Sequence, residues 1–221
     1  MGQYWRAAIL DAKTSKPWII GVSYDYYHCS AALIDHAHLE NIFPMAIVHY
    51  IYLHGPLRLV WVGDYAEGKY PEHWKNPDWI FTHQSEQVKN MFCSNIWAGD
   101  EKYIIKKDDA PKLISADNMV KQANQDHYNL RWIHNITKDQ WLDLDWYKAR
   151  PTHDVNKTHK HPLCYLTAVG DTEYRTDSPI YPFIGSWAGD LIEVFIDQDP
   201  EIVELLMAQK IQHKCLDLHL D

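Results

Sequence analysis

The sequence predicts an α+β fold of antiparallel β-hairpins with packed helices, with an echo between two halves that is either a pseudo-repeat or chance among ten tryptophans. Three observations carry this. Short runs of β-branched and aromatic residues flank turn-forming residues at 4–23 and again at 130–144. Helical patterns with recognisable starts and stops lie between and after them, above all Asp199-Pro200-Glu201. The two hairpin segments also echo each other. Thr14 to Trp18 and Thr137 to Trp141 both open with Thr and close with Trp, 123 residues apart.

Tyr4 to Leu10 reads as a strand, Asp11 to Pro17 as turn chemistry, and Trp18 to Val22 as the returning strand. Ser30 to Leu39 and Pro44 to Leu53 have helical content. Pro44 is placed at a helix start, where its missing N–H costs nothing. His54-Gly55-Pro56 ends that helix, and Leu57 to Val62 is a short buried strand closed by Gly63-Asp64. Residues 66–82 carry Gly68, Pro71 and Pro77 and read as an exposed loop. A short helix follows at Ser85 to Phe92, a strand at Lys102 to Ile105 and a polar surface helix at Ser115 to Asp126. Leu130 to Ile133 and Trp141 to Leu144 form the second hairpin around 135–140. A polar loop is expected over 148–160, a helix start or a strand over His161 to Val169, and a strand at Ile192 to Ile196. The last helix, 200–216, has Asp199 as N-cap and Pro200 at its first position, with Val203, Leu206, Met207 and Ile211 on one face.

The 221 residues, 46% hydrophobic, suffice for a single compact domain over 1–221, with internal halves at 1–110 and 120–200. Thirty acidic against 21 basic residues give a formal charge of −9, and no basic run exceeds Lys106-Lys107. Phosphate neutralisation needs basic side chains, so no nucleic-acid partner is expected. No membrane partner is expected either. The most apolar stretch, Ile42 to Leu53, contains Pro44 and His49 and falls short of the roughly 20 residues a span needs. Cys29, Cys93, Cys164 and Cys215 show no C-x-x-C spacing, and Met1-Gly2-Gln3-Tyr4-Trp5 lacks a signal pattern. Both suit a reducing cytoplasm. Phosphate-loop, dinucleotide, zincin and nucleophile-elbow motifs are missing, so no cofactor is expected.

Three constellations are candidates for function. Trp61-Val62-Gly63-Asp64 and Trp187-Ala188-Gly189-Asp190 share a W-x-G-D pattern, with a third copy at Trp97 to Asp100. Gly-Asp is turn chemistry and Trp is a buried anchor, which makes a structural fixture. The functional alternative is that Asp64, Asp100 and Asp190 line one site. His36-Ala37-His38 and His159-Lys160-His161 are pairs that an extended chain would point to one side. His159 and His161, completed by Asp154 or Asp190, are the candidate metal ligands. Cys164, three residues from His161, reads as a buried small hydrophobe. Lastly, rings and acids interleave in Tyr24-Asp25-Tyr26-Tyr27 and in Trp141 to Tyr147. That mixture suits a cationic partner, with Tyr26, Tyr27 and Trp146 as binding residues beside Asp64 and Asp190.

Several segments together carry a resemblance. They are the Gly2-Gln3-Tyr4 start, Val60 to Tyr65, His161-Pro162-Leu163-Cys164-Tyr165-Leu166-Thr167-Ala168, and Gly185 to Asp190. The chain resembles a family of uncharacterised bacterial and phage proteins that begin M-G-Q-Y-Y and carry H-P-L-P-L-L-T-A and W-A-G-D segments. Trp5 replaces the second Tyr here, and Cys164-Tyr165 interrupts the Pro-Leu-Leu run. The resemblance implies a phage or mobile-element origin and no mechanism. The expectation is therefore a non-enzymatic interaction protein that binds a host protein through an acidic, aromatic surface. The alternatives are a metal-dependent hydrolase using His159, His161 and aspartates, and a small-ligand binder between the halves. No oligomeric state follows from the sequence.

Overall fold

The computed structural model describes residues 5–10, 19–23, 41–63, 112–126, 128–149, 161–169 and 183–207. In chain order the elements are β1 (Trp5–Leu10), β2 (Ile19–Ser23), α1 (Ile42–His54), β3 (Leu57–Gly63), β4 (Lys112–Ser115) and α2 (Ala116–Asp126). Then come β5 (Leu130–Asn135), β6 (Gln140–Asp143), α3 (Leu144–Lys148), α4 (Pro162–Leu166), β7 (Ala168–Val169), β8 (Leu191–Ile196) and α5 (Pro200–Met207). This is an α+β fold. None of the described helices is long and apolar enough to cross a membrane.

The strands form one sheet in the order β4-β2-β1-β3-β8-β5-β6, with β7 beside β3. Both expected hairpins are present: β1 pairs antiparallel with β2, and β5 with β6. β1 also pairs antiparallel with β3, and β5 with β8. The order β2-β1-β3 thus recurs as β6-β5-β8 with the same pairing senses, and the two trios meet where Leu57 faces Ile192 and Arg58 faces Leu191. The rest of that β3 edge takes β7 in parallel, at Trp61 opposite Ala168. The W-x-G-D echo does not follow this pattern. Trp61 lies inside β3, whereas Trp187 lies in the turn before β8.

Alternation along the strands sends Ala7, Ile9, Leu57, Leu59, Trp61, Ile133, Leu142, Ile192 and Val194 into the main core. α1 covers it with Phe43, Ala46, Ile47 and Ile51, and Phe43 meets the Trp61 ring edge-on at 5.7 Å. The Asn41 side chain caps this helix by accepting from the Phe43 N–H at 2.9 Å, so the helix starts two residues before Pro44. Pro44 still falls in the first turn, where no backbone donor is lost. Gly55 ends the helix at φ 84°, and its N–H reaches the Ile51 carbonyl.

The opposite face of the second trio holds a smaller cluster of Trp132, Trp141 and Ile202, with Phe195, Leu205 and Leu206 against it. α5 therefore turns Ile202 inward, and Met207 is 82% exposed rather than on the packed face. Asp199 directs its carboxylate back to the Ile196 N–H at 2.8 Å. Two elements lie where none was expected, β4 and α3. α3 starts because Asp143 at the end of β6 accepts from the N–H groups of Asp145 and Trp146. The expected helices at 30–39 and 85–92, the strand at 102–105, the loop at 66–82 and all but the start of the 148–160 loop lie outside the described residues.

Candidate functional site

The W-A-G-D segment is a clasp between the two strand trios. The Trp187 indole is fully buried and donates to Gln140 Oε1 at 2.8 Å, and the Gly189 N–H bonds the Leu59 carbonyl. Asp190 is 1% exposed. It accepts from Asn135 Nδ2 at 2.8 Å and lies 3.4 Å from Lys138 Nζ, which also bonds the Ser186 carbonyl. Thr137 Oγ1 accepts from the Leu191 N–H at 2.9 Å. Arg58 donates to the Gly189 carbonyl. Burial pulls its pKa down, and the Asp190 charge opposes that. Asn135 Nδ2, Thr137 Oγ1 and Lys138 Nζ of the β5–β6 turn all hold the segment before and at the start of β8, while Asn135 Oδ1 accepts from the Lys138 N–H within its own turn. Asp190 is thus a cross-link and has no surface for a ligand.

The second polar region lies at the far end of the same three strands. Leu130 faces Ile196 and Trp132 faces Asp143, so residues 128–132, 143–146 and 196–199 gather there. Arg131 forks onto Asp143 at 2.9 and 2.7 Å, reaches Asp197 at 3.2 Å and lies 4.7 Å over the Trp132 ring. Hydrogen bonding to Asp143, more than any other contact, raises its pKa and keeps it charged. Trp132 Nε1 donates to Asp197 at 2.7 Å. Asp145 lies 3.7 Å from Arg131 and 3.5 Å from Lys148 Nζ. Trp146 is 38% exposed beside it.

The C-terminal ends of α1 and α2 complete this end. His49 Nε2 is 3.1 Å from Asp126 Oδ2, which also accepts from Gln122 at 2.8 Å. The His49 ring stacks on Tyr128 at 5.6 Å, and Tyr52 meets Tyr128 at 4.9 Å. Burial lowers the His49 pKa, so the ring is neutral at pH 7. Burial, then the Asp199 charge and then Tyr128, push the Tyr52 hydroxyl up. Tyr128 is 43% and Leu53 42% exposed. The sequence reading missed Tyr128, a single ring in a polar stretch. Its signal was its place, two residues past the end of a helix and two before a strand.

On the sheet face below, His134 bonds Glu193 at 2.8 Å and stacks on Trp141 at 4.0 Å. That arrangement fixes the ring between β6 and β8.

Of the residues singled out from sequence, Tyr26, Tyr27, Asp64 and His159 lie outside the described residues. Trp146 lies at the acidic end and Asp190 in the clasp, so these two do not share a site. His161 is fully buried at the start of α4, with no hydrogen-bond partner for either ring nitrogen among the described residues. Burial, with help from the Lys148 charge, takes its pKa down to about 3. Cys164 is equally buried, and burial raises its thiol pKa well above the usual value, which keeps it protonated and unreactive. No three metal-ligating side chains converge among the described residues. No protein-family model, curated protein or solved structure matches the chain.

Proposed function

We propose that the chain is a non-enzymatic interaction protein that engages a basic surface of a host protein through its acidic, aromatic end. The observation that supports this is the placement of Tyr128 and Trp146. Both rings are more than a third exposed, and they stand where Asp126, Asp145, Asp197 and Asp199 gather. Exposed Tyr and Trp are the side chains that most often dominate protein interfaces. Carboxylates around them steer a cationic partner and favour its alignment. Glu201 and Glu204, exposed on α5, extend the same field.

The test is binding of a fluorescent hexa-arginine peptide, followed by anisotropy at 50 and 300 mM salt. Wild-type protein should bind at low salt and weaken as salt rises. The charge-reversed variant Asp145→Lys/Glu201→Lys should bind at least about ten-fold more weakly. Absence of binding to wild type, or equal binding to the variant, refutes the proposal.

A further inference from the structure

The acidic end has two flanks, and they differ in how much of their charge is already cancelled. Around α3, each carboxylate has a cation of its own chain. Arg131 takes Asp143 and Asp197, and Arg131 and Lys148 share Asp145. With two cations for three carboxylates, that flank still adds to the acidic field but has most of its charge balanced.

The corner between α1 and α2 is different. Among the described residues, Asp126 is held by His49 and Gln122, both neutral at pH 7. Asp199, among the same described residues, is held only by a backbone N–H. Neither contact cancels a carboxylate charge. Two helix C-termini end here as well, α1 at His54 and α2 at Asp126, and their last carbonyls add negative potential. Tyr52 and Tyr128 meet edge to face at an interplanar angle of 62°, and Tyr128 stays open to solvent. A partly exposed ring beside carboxylates that no cation among the described residues holds attracts a cation through its quadrupole and through charge together.

We infer that the α1–α2 corner, built on Tyr128 with Tyr52, Asp126 and Asp199, seats a lysine or arginine side chain of the protein partner. This rests on the interaction reading above and assigns the anchor within that surface. The cationic group packs on the Tyr128 ring while Asp126 and Asp199 balance its charge. Trp146 then lies at the rim and contributes contact area.

The same hexa-arginine peptide distinguishes the outcomes. Tyr128→Ala should weaken binding about three- to ten-fold, as expected for a partly desolvated cation–ring contact. Tyr128→Phe keeps the ring and should stay within about two-fold of wild type. Asp126→Asn should weaken binding and flatten its salt dependence, while Trp146→Ala should change it less than Tyr128→Ala does. Melting temperatures of all four variants identify any that fail to fold, and Asp126→Asn set against Trp146→Ala still decides the question if Tyr128→Ala is lost: weaker binding in Asp126→Asn supports the corner, and unchanged binding overturns it. If wild type binds but Trp146→Ala removes binding and the Tyr128 variants do not, the corner is not the seat, although the interaction reading stands. If wild type does not bind, both fall.

Discussion

Replacing His161 by leucine should remove a large part of the protein's acid sensitivity. The ring is fully buried, neither nitrogen has a partner among the described residues, and its pKa falls from 6.5 to about 3. The folded state therefore keeps His161 neutral while the unfolded chain takes up a proton below pH 6.5. The unfolded state binds more protons, so stability falls as pH drops from 6.5 towards 3 and changes no further below that. The full gap corresponds to about 5 kcal/mol, and the part lost by pH 5 is about 2 kcal/mol. Urea unfolding of wild type and His161→Leu at pH 7.5, 6 and 5 measures this. The variant should equal or exceed wild type at pH 7.5, because leucine leaves no unpaired nitrogen and His161 makes no side-chain cap to α4. Between pH 7.5 and 5, wild type should lose about 2 kcal/mol more than the variant. The other histidines, including His49 with its lowered pKa, titrate in both proteins and cancel in the difference. Parallel stability profiles, or a folded-state His161 titrating near 6.5 by NMR, would refute the reasoning.

Three further substitutions test the clasp and the acidic end. Asp190→Ala should cost about 2–4 kcal/mol in urea unfolding, because it leaves Asn135 Nδ2 buried without its acceptor and removes the Lys138 partner. Gly185→Ala should cost about 2 kcal/mol or more, since Gly185 has φ 73° and a Cβ there would come within 2.7 Å of the Ala168 carbonyl oxygen. A melting temperature within a degree of wild type would show that the turn relaxes freely. Arg131→Lys should lower stability by about 1–2 kcal/mol, as an ammonium cannot fork onto Asp143 while reaching Asp197. An unchanged unfolding midpoint would mean that solvent screens the whole network.

The elements that could be read from the sequence are those whose reasons are local. Gly55 and Pro56 mark the end of α1 because a positive φ and a missing donor are properties of single residues. The β5–β6 hairpin is legible because alternation and turn residues lie within 14 positions. β4 was not legible. It pairs in parallel with β2, at Ile20 opposite Lys112, and no short-range pattern announces a partner about ninety residues away. α3 was hidden for another reason. Its signal is one aspartate at the last position of a strand, and strand and helix overlap in the same run of rings and acids.

The W-x-G-D motif shows where sequence patterning stops being informative about function. The pattern identified a turn with a buried tryptophan, and Trp187 and Asp190 fit that description. Asp64 and Asp100 of the paired reading, in which separate copies line one site, lie outside the described residues, and the motif's two described tryptophans, Trp61 and Trp187, do not occupy equal places. Trp61 sits inside β3, opposite Ala7, where a large ring fills the core beneath Phe43. Ala168 flanks the same residue on the other side, so Trp61 serves the middle of the sheet and Trp187 serves its seam. What repeats is the strand order, β2-β1-β3 and β6-β5-β8. Strand order depends on which edges meet, and many sequences satisfy it. The acidic end follows the same logic in reverse. Asp126, Asp145 and Asp199 are unremarkable in an acidic chain. Their meaning depends on which of them a cation of the chain already holds, a property of the folded ends of α1, α2, α3 and β8 taken together.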